Sequence, residues 1–385
     1  MKFNRLKYVS VGVFITLFSC QQSDKKATTI FSGIKKDSTL KYAKRFSIAR
    51  HKNYTLVFLF GNKQNRDTTA TYLIYDNNQL IDNTPQNVIT IKNSCNKIAA
   101  LSSIYANMLY ELGEVNKIAA IDNRDYINNK EIIANCNNGK IAELSKGTEI
   151  NLEQTIKLNP DIVFTFGMGD PKKDVNTKLL QAKIPVAISL DHLEETPLAR
   201  AEWIKFFACF VNKTTKADSI FNAIEKNYND LQLLGKKTKQ QPTVFNEIKT
   251  GDIWYVPGGK SYIAELLKDA GANYIWKEDV NSGSLPLSFE QVYFKAKQAD
   301  FWINLGLCNS KTELLNYEPR YTEFKAFKTG NIFNNNKNIN NNGYSDYWET
   351  GIIYPNKVLN DLLIIFHPEL KAQLEDKLFY YKQLK

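Results

Sequence analysis

The sequence predicts an α/β protein in which two Rossmann-like lobes are joined by a single long helix and preceded by a β-rich N-terminal extension. Three observations carry this prediction. From residue 97 onward, short apolar runs alternate with stretches of helical periodicity, the pattern of a mostly parallel sheet with helices on its faces. Residues 197–234 interrupt it with helical spacing, no glycine, and no proline after Pro197. The alternation then begins again. A chain of 385 residues suits two lobes, since domains run to about 100–200 residues. A hydrophobic content of 43% and an aromatic content of 12% are ample for packed cores and exclude wholesale disorder.

Residues 1–19 form a signal segment. Lys2, Arg5 and Lys7 precede the apolar run 8–18, followed by Ser19-Cys20-Gln21-Gln22. A membrane span needs about 20 apolar residues, so this run is the hydrophobic region of a signal peptide. A small residue before Cys20 resembles a bacterial lipoprotein signal, although Phe18 departs from the usual residue there. Acylation of Cys20 would anchor the mature protein to a membrane surface without crossing it, in the cell envelope and facing the periplasm. No later stretch is long and apolar enough to span.

Residues 20–92 comprise a polar tether and the extension. Within it, 54–60 and 71–75 are rich in β-branched and aromatic residues and are separated by turn residues. The first lobe is placed at 93–212. Residues 98–101 read as a buried strand, 102–112 as a helix closed by Gly113, and 117–121 as a second strand. A short helix at 151–158 leads to a strand at 161–166, and 184–190 is a further strand. Residues 213–240 hold the interlobe helix, whose core of about 19 residues would be roughly 28 Å long.

The second lobe, 241–385, echoes the first. Asn151-Leu152-Glu153-Gln154 opens a helix that leads to Asp161 and an apolar strand. Ser288-Phe289-Glu290-Gln291 opens another that leads to Asp300 and an apolar strand. Both openings read as capping boxes. The helix and glycine at 102–113 have their counterpart at 261–271. The spacings differ, so the similarity is one of fold.

Charge and motif content exclude several functions. Lys and Arg total 50 against 40 Asp and Glu, a formal +10; removing Lys2, Arg5 and Lys7 lowers it by three, to +7. These cations do not cluster into a stripe and are scattered among asparagines, as on a solvated surface, so nucleic acid is not expected as a partner. Only His51, His192 and His367 are present, and none has Ser or Cys in a nucleophile setting, so no catalytic residue is assigned. His367, after the apolar helix 358–366, reads as a helix terminus. Gly167-Met168-Gly169 and Gly258-Gly259-Lys260 are too short for nucleotide fingerprints and read as tight turns. The remaining cysteines, Cys95, Cys136, Cys209 and Cys308, form no C-x-x-C or Cys/His cluster, which leaves a structural zinc site without support. In an oxidising compartment, Cys95 with Cys136 is the first pair to test.

Open α/β sheets bind ligands in the loops after their strands. Those loops offer Tyr126, Phe166, Met168, Trp254, Tyr255 and Lys260 as ligand contacts. Tyr344, Tyr347 and Trp348 follow the asparagine-rich stretch 334–342. Flat, rigid aromatics suit a large, partly planar ligand held between lobes.

Taken in order, the 98–121 run, the Asn-Leu-Glu helix with 158–163, the 254–259 and 266–271 segments, 288–292, and Asp346-Tyr347-Trp348-Glu349 through 359–362 to His367-Pro368-Glu369 resemble the cobalamin- and ferric-siderophore-binding proteins of ABC importers. The resemblance covers about residues 93–375. It implies two lobes on one rigid helix that clamp a metal chelate, an iron–siderophore, haem or corrinoid complex, with no bond chemistry. It implies an ABC permease with its ATPase as partner, reached through Glu153 and Glu290 at the lobe tips, and a monomer. No cofactor is implied, the chelate being cargo. Charge balance makes Lys146, Lys260 and Arg320 candidate partners of an anionic chelate. Two alternatives stand beside this expectation. A zinc or manganese importer subunit would need histidines and carboxylates converging between the lobes, where only His192 is placed. The other is an enzyme or surface adhesin on the same scaffold.

Overall fold

The computed structural model describes residues 40–51, 53–61, 68–76, 88–146, 149–174, 177–375 and 377–385. The signal segment, Cys20 and the tether lie outside the described residues.

The extension is a four-stranded sheet of Phe46–His51, Tyr54–Phe60, Thr68–Asp76 and Val88–Asn93, paired in chain order. The first two pairings are antiparallel and the last is parallel. Period-two alternation divides its apolar residues between two faces. Phe46, Ile48, Val57, Leu59, Tyr72 and Ile74 join the main core of the molecule. Ala49, Leu56 and Leu73 form a small cluster on the other face. The inner face packs on the helix Ile204–Phe210, with Phe46 4.7 Å from Trp203 and Tyr72 5.8 Å from Phe210 between ring centroids. The Ile188 N–H also donates to the Tyr72 hydroxyl at 2.9 Å. The extension is therefore fused to the first lobe.

The first lobe holds a parallel sheet in the order Val186–Ser189, Ile162–Phe166, Ile98–Ala100, Ile118–Ile121, Ala142–Glu143. Its central strands carry the buried apolar runs Ile98–Ala100 and 162–164 because both faces are covered there. The second lobe repeats the plan with Asn273–Tyr274, Thr243–Asn246, Phe301–Ile303 and Ile332–Asn334 in parallel, closed by the antiparallel Lys382–Gln383. Chain order reverses beside Ile98–Ala100 in one lobe and beside Thr243–Asn246 in the other, which sets a crevice at each switch point. The echo extends to single residues. Asp161 accepts the N–H groups of Asn96 and Lys97 at 2.7 and 2.9 Å, and Asp300 accepts that of Thr243 at 2.8 Å. Each aspartate thus ties off the start of the neighbouring strand.

The helix Thr214–Lys236 joins the lobes over 23 residues, about 34 Å at 1.5 Å per residue. Ala217, Phe221, Ile224, Tyr228 and Gly235 form its buried stripe, and it packs along Pro355–Phe366. Gly235 is required by close approach: a Cβ there would stand 2.2 Å from the Asp269 carbonyl oxygen.

Both predicted helix starts hold, but only one is a capping box, since the Asn151 N–H donates to the Leu144 carbonyl and not to Gln154. Ser288 and Gln291 make both bonds of a capping box, and Asn151 accepts the Gln154 N–H at 3.0 Å. Two further expectations are corrected. Cys95, Cys136, Cys209 and Cys308 are all free thiols, and burial pushes the thiols of Cys95 and Cys209 up to about 12. The asparagine-rich stretch is not simply a solvated loop. Asn334, Asn335 and Asn336 are buried, and Asn334 accepts the Leu305 N–H while donating to the carbonyls of Gly306 and Cys308. The Asn334 and Asn336 amides satisfy backbone groups that the turn leaves without partners.

Candidate ligand-binding cleft

A cavity of about 630 Å³ lies between the lobes. The loop and helix after Val186–Ser189 supply His192, Glu194 and Arg200. The second lobe supplies Glu247, immediately after Thr243–Asn246, together with Pro257, Lys260, Ser261 and Tyr262. Trp348 closes one side, and Arg45 enters from the extension. A smaller hollow of about 270 Å³, lined by Ser103, Tyr126, Tyr344, Ser345, Trp348 and Glu349, shares the Trp348 wall. A third, of about 250 Å³, holds Phe166 and Met168 at the end of the first lobe's sheet. Phe166 lies edge-on to His192 at 6.2 Å, next to the main cavity.

Arg200 reaches across the lobes, with its guanidinium 4.9 Å from the centre of the Tyr262 ring and 3.6 Å from Asp191. Among the described residues, the Arg200 Nε and the Tyr262 hydroxyl have no hydrogen-bond partner, although both are buried. Such groups suit a polar ligand that would satisfy them. Glu247 has φ +65°, in the left-handed region, and burial pushes its carboxyl up to about 8. Glu194 and Glu349 are each raised to about 7, also by burial. At neutral pH the cavity therefore carries less negative charge than its acids suggest. Burial lowers His192, with nearby Arg200 and Arg45 acting in the same direction.

The predicted contacts divide. Tyr126, Tyr344 and Trp348 come together, with the Tyr126 and Tyr344 rings T-shaped at 4.7 Å across the lobe boundary. Lys260 is exposed at the cavity wall. Trp254 is corrected: it is fully buried in the second lobe, and its Nε1–H donates to the Asn246 carbonyl at 3.1 Å. Strand alternation explains this, since Trp254 and Val256 face the core while Tyr255 faces solvent, away from all three hollows. Tyr347 is corrected too. It is fully buried behind Trp348, with the rings T-shaped at 4.8 Å, because neighbouring residues of a 3₁₀ turn point about 120° apart. Arg320 is engaged elsewhere. It stacks 3.9 Å from the centre of Phe289 and binds Glu318 and Glu290, well apart from the cavity lining. Lys146 ends a two-residue strand, and its side chain lies outside the described residues.

Glu153 and Glu290 are exposed in the first turns of the helices Leu152–Leu158 and Phe289–Ala296. Sequence reasoning missed Arg45, Glu194, Arg200, Glu247 and Tyr262. Glu247 and the 190–196 loop follow strands, the same signal that located Tyr126. Arg45 precedes the first lobe and had no such signal.

Residues 98–338 match the periplasmic binding protein family. The chain belongs to that family. An uncharacterised lipoprotein of Methanocaldococcus jannaschii is 31% identical over 243 residues, 62% of this chain and 56% of its own length. A second from the same organism is 31% identical over 256 residues, 63% of this chain and 62% of its own length. The chain thus spans about three fifths of these curated relatives. Solved periplasmic binding proteins share the fold. An ABC transporter solute-binding protein of Sulfurospirillum deleyianum aligns with TM-score 0.54 and 17% identity, over 73% of this chain and 86% of that one. The periplasmic haem-binding protein RhuT of Roseiflexus sp. RS-1 aligns with TM-score 0.54 and 17% identity, over 71% and 98%. Among the described residues, no helix is long and apolar enough to cross a membrane.

Proposed function

We propose that this periplasmic binding protein is a lipid-anchored solute receptor that captures a metal chelate between its lobes and hands it to an ABC permease with its ATPase. Acylated Cys20 holds it in the cell envelope, facing the periplasm, and the cargo is an iron–siderophore, haem or corrinoid complex. The observation that carries this reading is the interlobe cavity of about 630 Å³, within the range of small-molecule sites, with aromatic Trp348 and Tyr262 beside Arg45, Arg200 and Lys260. Cationic walls repel a bare divalent ion and suit an anionic chelate, which favours this reading over a zinc or manganese receptor. Glu153 and Glu290, exposed on matching helices, are the permease-docking residues in this reading.

The test is a fluorescence titration with haemin, cyanocobalamin and ferric siderophores. Four of the five tryptophans are buried and Trp348 is 48% exposed, so a chelate in the cleft should quench Trp348 first. Saturable quenching by one chelate, lost in Trp348→Phe, supports capture. Absence of quenching by all of them, with turnover of some substrate, overturns it.

A further inference from the structure

Residues 41–45, just ahead of the extension's first strand, are moored by three glutamates from the two-lobed core. Glu202 accepts the N–H groups of Lys41, Tyr42 and Ala43 at 3.0, 2.8 and 2.8 Å. Glu194 accepts those of Lys44 and Arg45 at 3.0 and 2.9 Å, and the Trp203 Nε1–H at 3.2 Å. Glu225, on the interlobe helix, binds the Lys41 ammonium at 2.6 Å and the Tyr42 hydroxyl at 2.9 Å. Glu194 and Glu202 are buried, and buried carboxylates are retained only where hydrogen bonds or charges satisfy them. Here five consecutive backbone N–H groups do so, which fixes the path of this strap across the first lobe.

The strap delivers one side chain to the cavity. Arg45 lines it beside His192 and Arg200, and its Nη1 donates to the Gly61 carbonyl at 3.1 Å, which steadies the guanidinium. The acids nearby have other partners or little charge. Glu194 is bound to the strap, Asp191 faces Arg200, Glu195 lies 3.8 Å from Lys44, and burial raises Glu247. The strap also lies ahead of residues 98–338, so this wall is one that the family's two-lobed core does not supply.

We infer that Arg45 is a specificity-determining residue of the cleft, which together with Arg200 and Lys260 receives a carboxylate or phosphate group of the ligand, while Glu194, Glu202 and Glu225 are positioning residues for the strap. The extension is thus part of the receptor site. The identity of the cargo as a chelate rests on the function proposed above; the anion-receiving wall is tested separately.

The full chain and its Arg45→Ala, Arg45→Lys and Arg45→Glu variants are compared in two measurements. The first is quenching of Trp348 by iodide and by neutral acrylamide. Iodide quenching should fall about twofold in Arg45→Ala, fall further in Arg45→Glu and recover in Arg45→Lys, with acrylamide quenching and melting temperature unchanged. The second is titration with haemin, ferric citrate and cyanocobalamin. The chelate that binds the wild-type protein should bind Arg45→Ala about tenfold more weakly at low salt, with the gap narrowing as salt rises. A response confined to haemin or ferric citrate identifies a carboxylate as the group received, and one confined to cyanocobalamin a phosphate. Iodide quenching and chelate affinity both unchanged in Arg45→Ala overturn the inference. Loss of iodide quenching with no chelate bound by the wild type upholds the cationic wall and overturns the chelate reading instead.

Discussion

Glu349 and Asn128 tie the two halves of the molecule together: one carboxylate oxygen of Glu349 accepts both the backbone N–H and the side-chain amide of Asn128, at 2.7 and 2.8 Å. The other oxygen accepts the Asn107 amide, so a single buried acid from the C-terminal segment holds a helix, Ser103–Glu111, and a loop of the first lobe. The asparagine stretch adds to this seam, since the Asn340 amide donates to the carbonyls of Asp125 and Ile127 at 2.7 and 3.0 Å. Tyr126 and Tyr344 meet beside it.

Removing that acid should loosen the seam. Glu349→Ala leaves the Asn107 and Asn128 donors without their partner, and a buried unsatisfied donor costs about 1–3 kcal/mol. Urea unfolding should report a loss of that order for Glu349→Ala and a smaller one for Glu349→Gln. An alanine variant as stable as the wild type would show that the seam closes without this residue.

Stability should decline on the alkaline side of pH 5. Burial raises Glu247 to about 8 and Glu194 and Glu349 to about 7, from an ordinary 4.5. A carboxyl raised by folding binds its proton more tightly in the native state. Its contribution is complete below the unfolded pKa and is lost as pH rises through the folded value. Glu318 works the other way. Arg320 and Lys249 hold it down to about 2, so its contribution is lost only when pH falls toward that value. The melting temperature should therefore fall between pH 5 and 9, and Glu247→Gln should flatten the upper part of that fall. Superimposable profiles for the variant and the wild type would refute the assignment to Glu247.

Two tryptophans that look alike in the sequence should behave oppositely. Trp254→Ala empties a fully buried site between Phe245, Trp302 and Tyr321 and should cost about 3–5 kcal/mol. Trp348→Ala removes a half-exposed ring and should change stability by only about 0.5 kcal/mol while weakening ligand binding. Denaturant melts and a ligand titration on both variants separate core from cleft.

The lobes were legible in the sequence because their strands carry short apolar runs and their helices open on side chains that cap them, as Ser288 and Asn151 do. The rule that ligands sit after strands pointed to Tyr126 and Lys260, both of which line hollows. It could not say which way a side chain points within a strand, so Trp254 and Tyr255 were grouped although alternation sends them to opposite faces. Nor could composition show that buried carbonyls would take up Asn334 and Asn336. Arg45 is held at the cleft in part by the bond of its N–H to Glu194, 149 residues away, and no local pattern encodes that.

An acid in the first turn of a helix is favoured by the helix dipole wherever it occurs, so placement alone does not separate docking from local stabilisation. The neighbours of the two acids do. Glu153 lies three residues before Ile156, and Glu290 four before Phe294, spacings that put each pair on one helix face. Ile156 is 43% and Phe294 80% exposed, so each lobe presents an acid with an apolar anchor, a combination that local helix stability does not require. Exchanging both glutamates for arginine should abolish uptake of labelled chelate by cells while leaving its affinity for the purified protein intact. Folding should tolerate the change, because Arg320 keeps its bonds to Glu318 at 2.8 and 2.9 Å when Glu290 is lost. Phe294→Ser should reduce uptake in the same direction, again without changing affinity. Normal transport by the double arginine variant would show that the permease reads another surface.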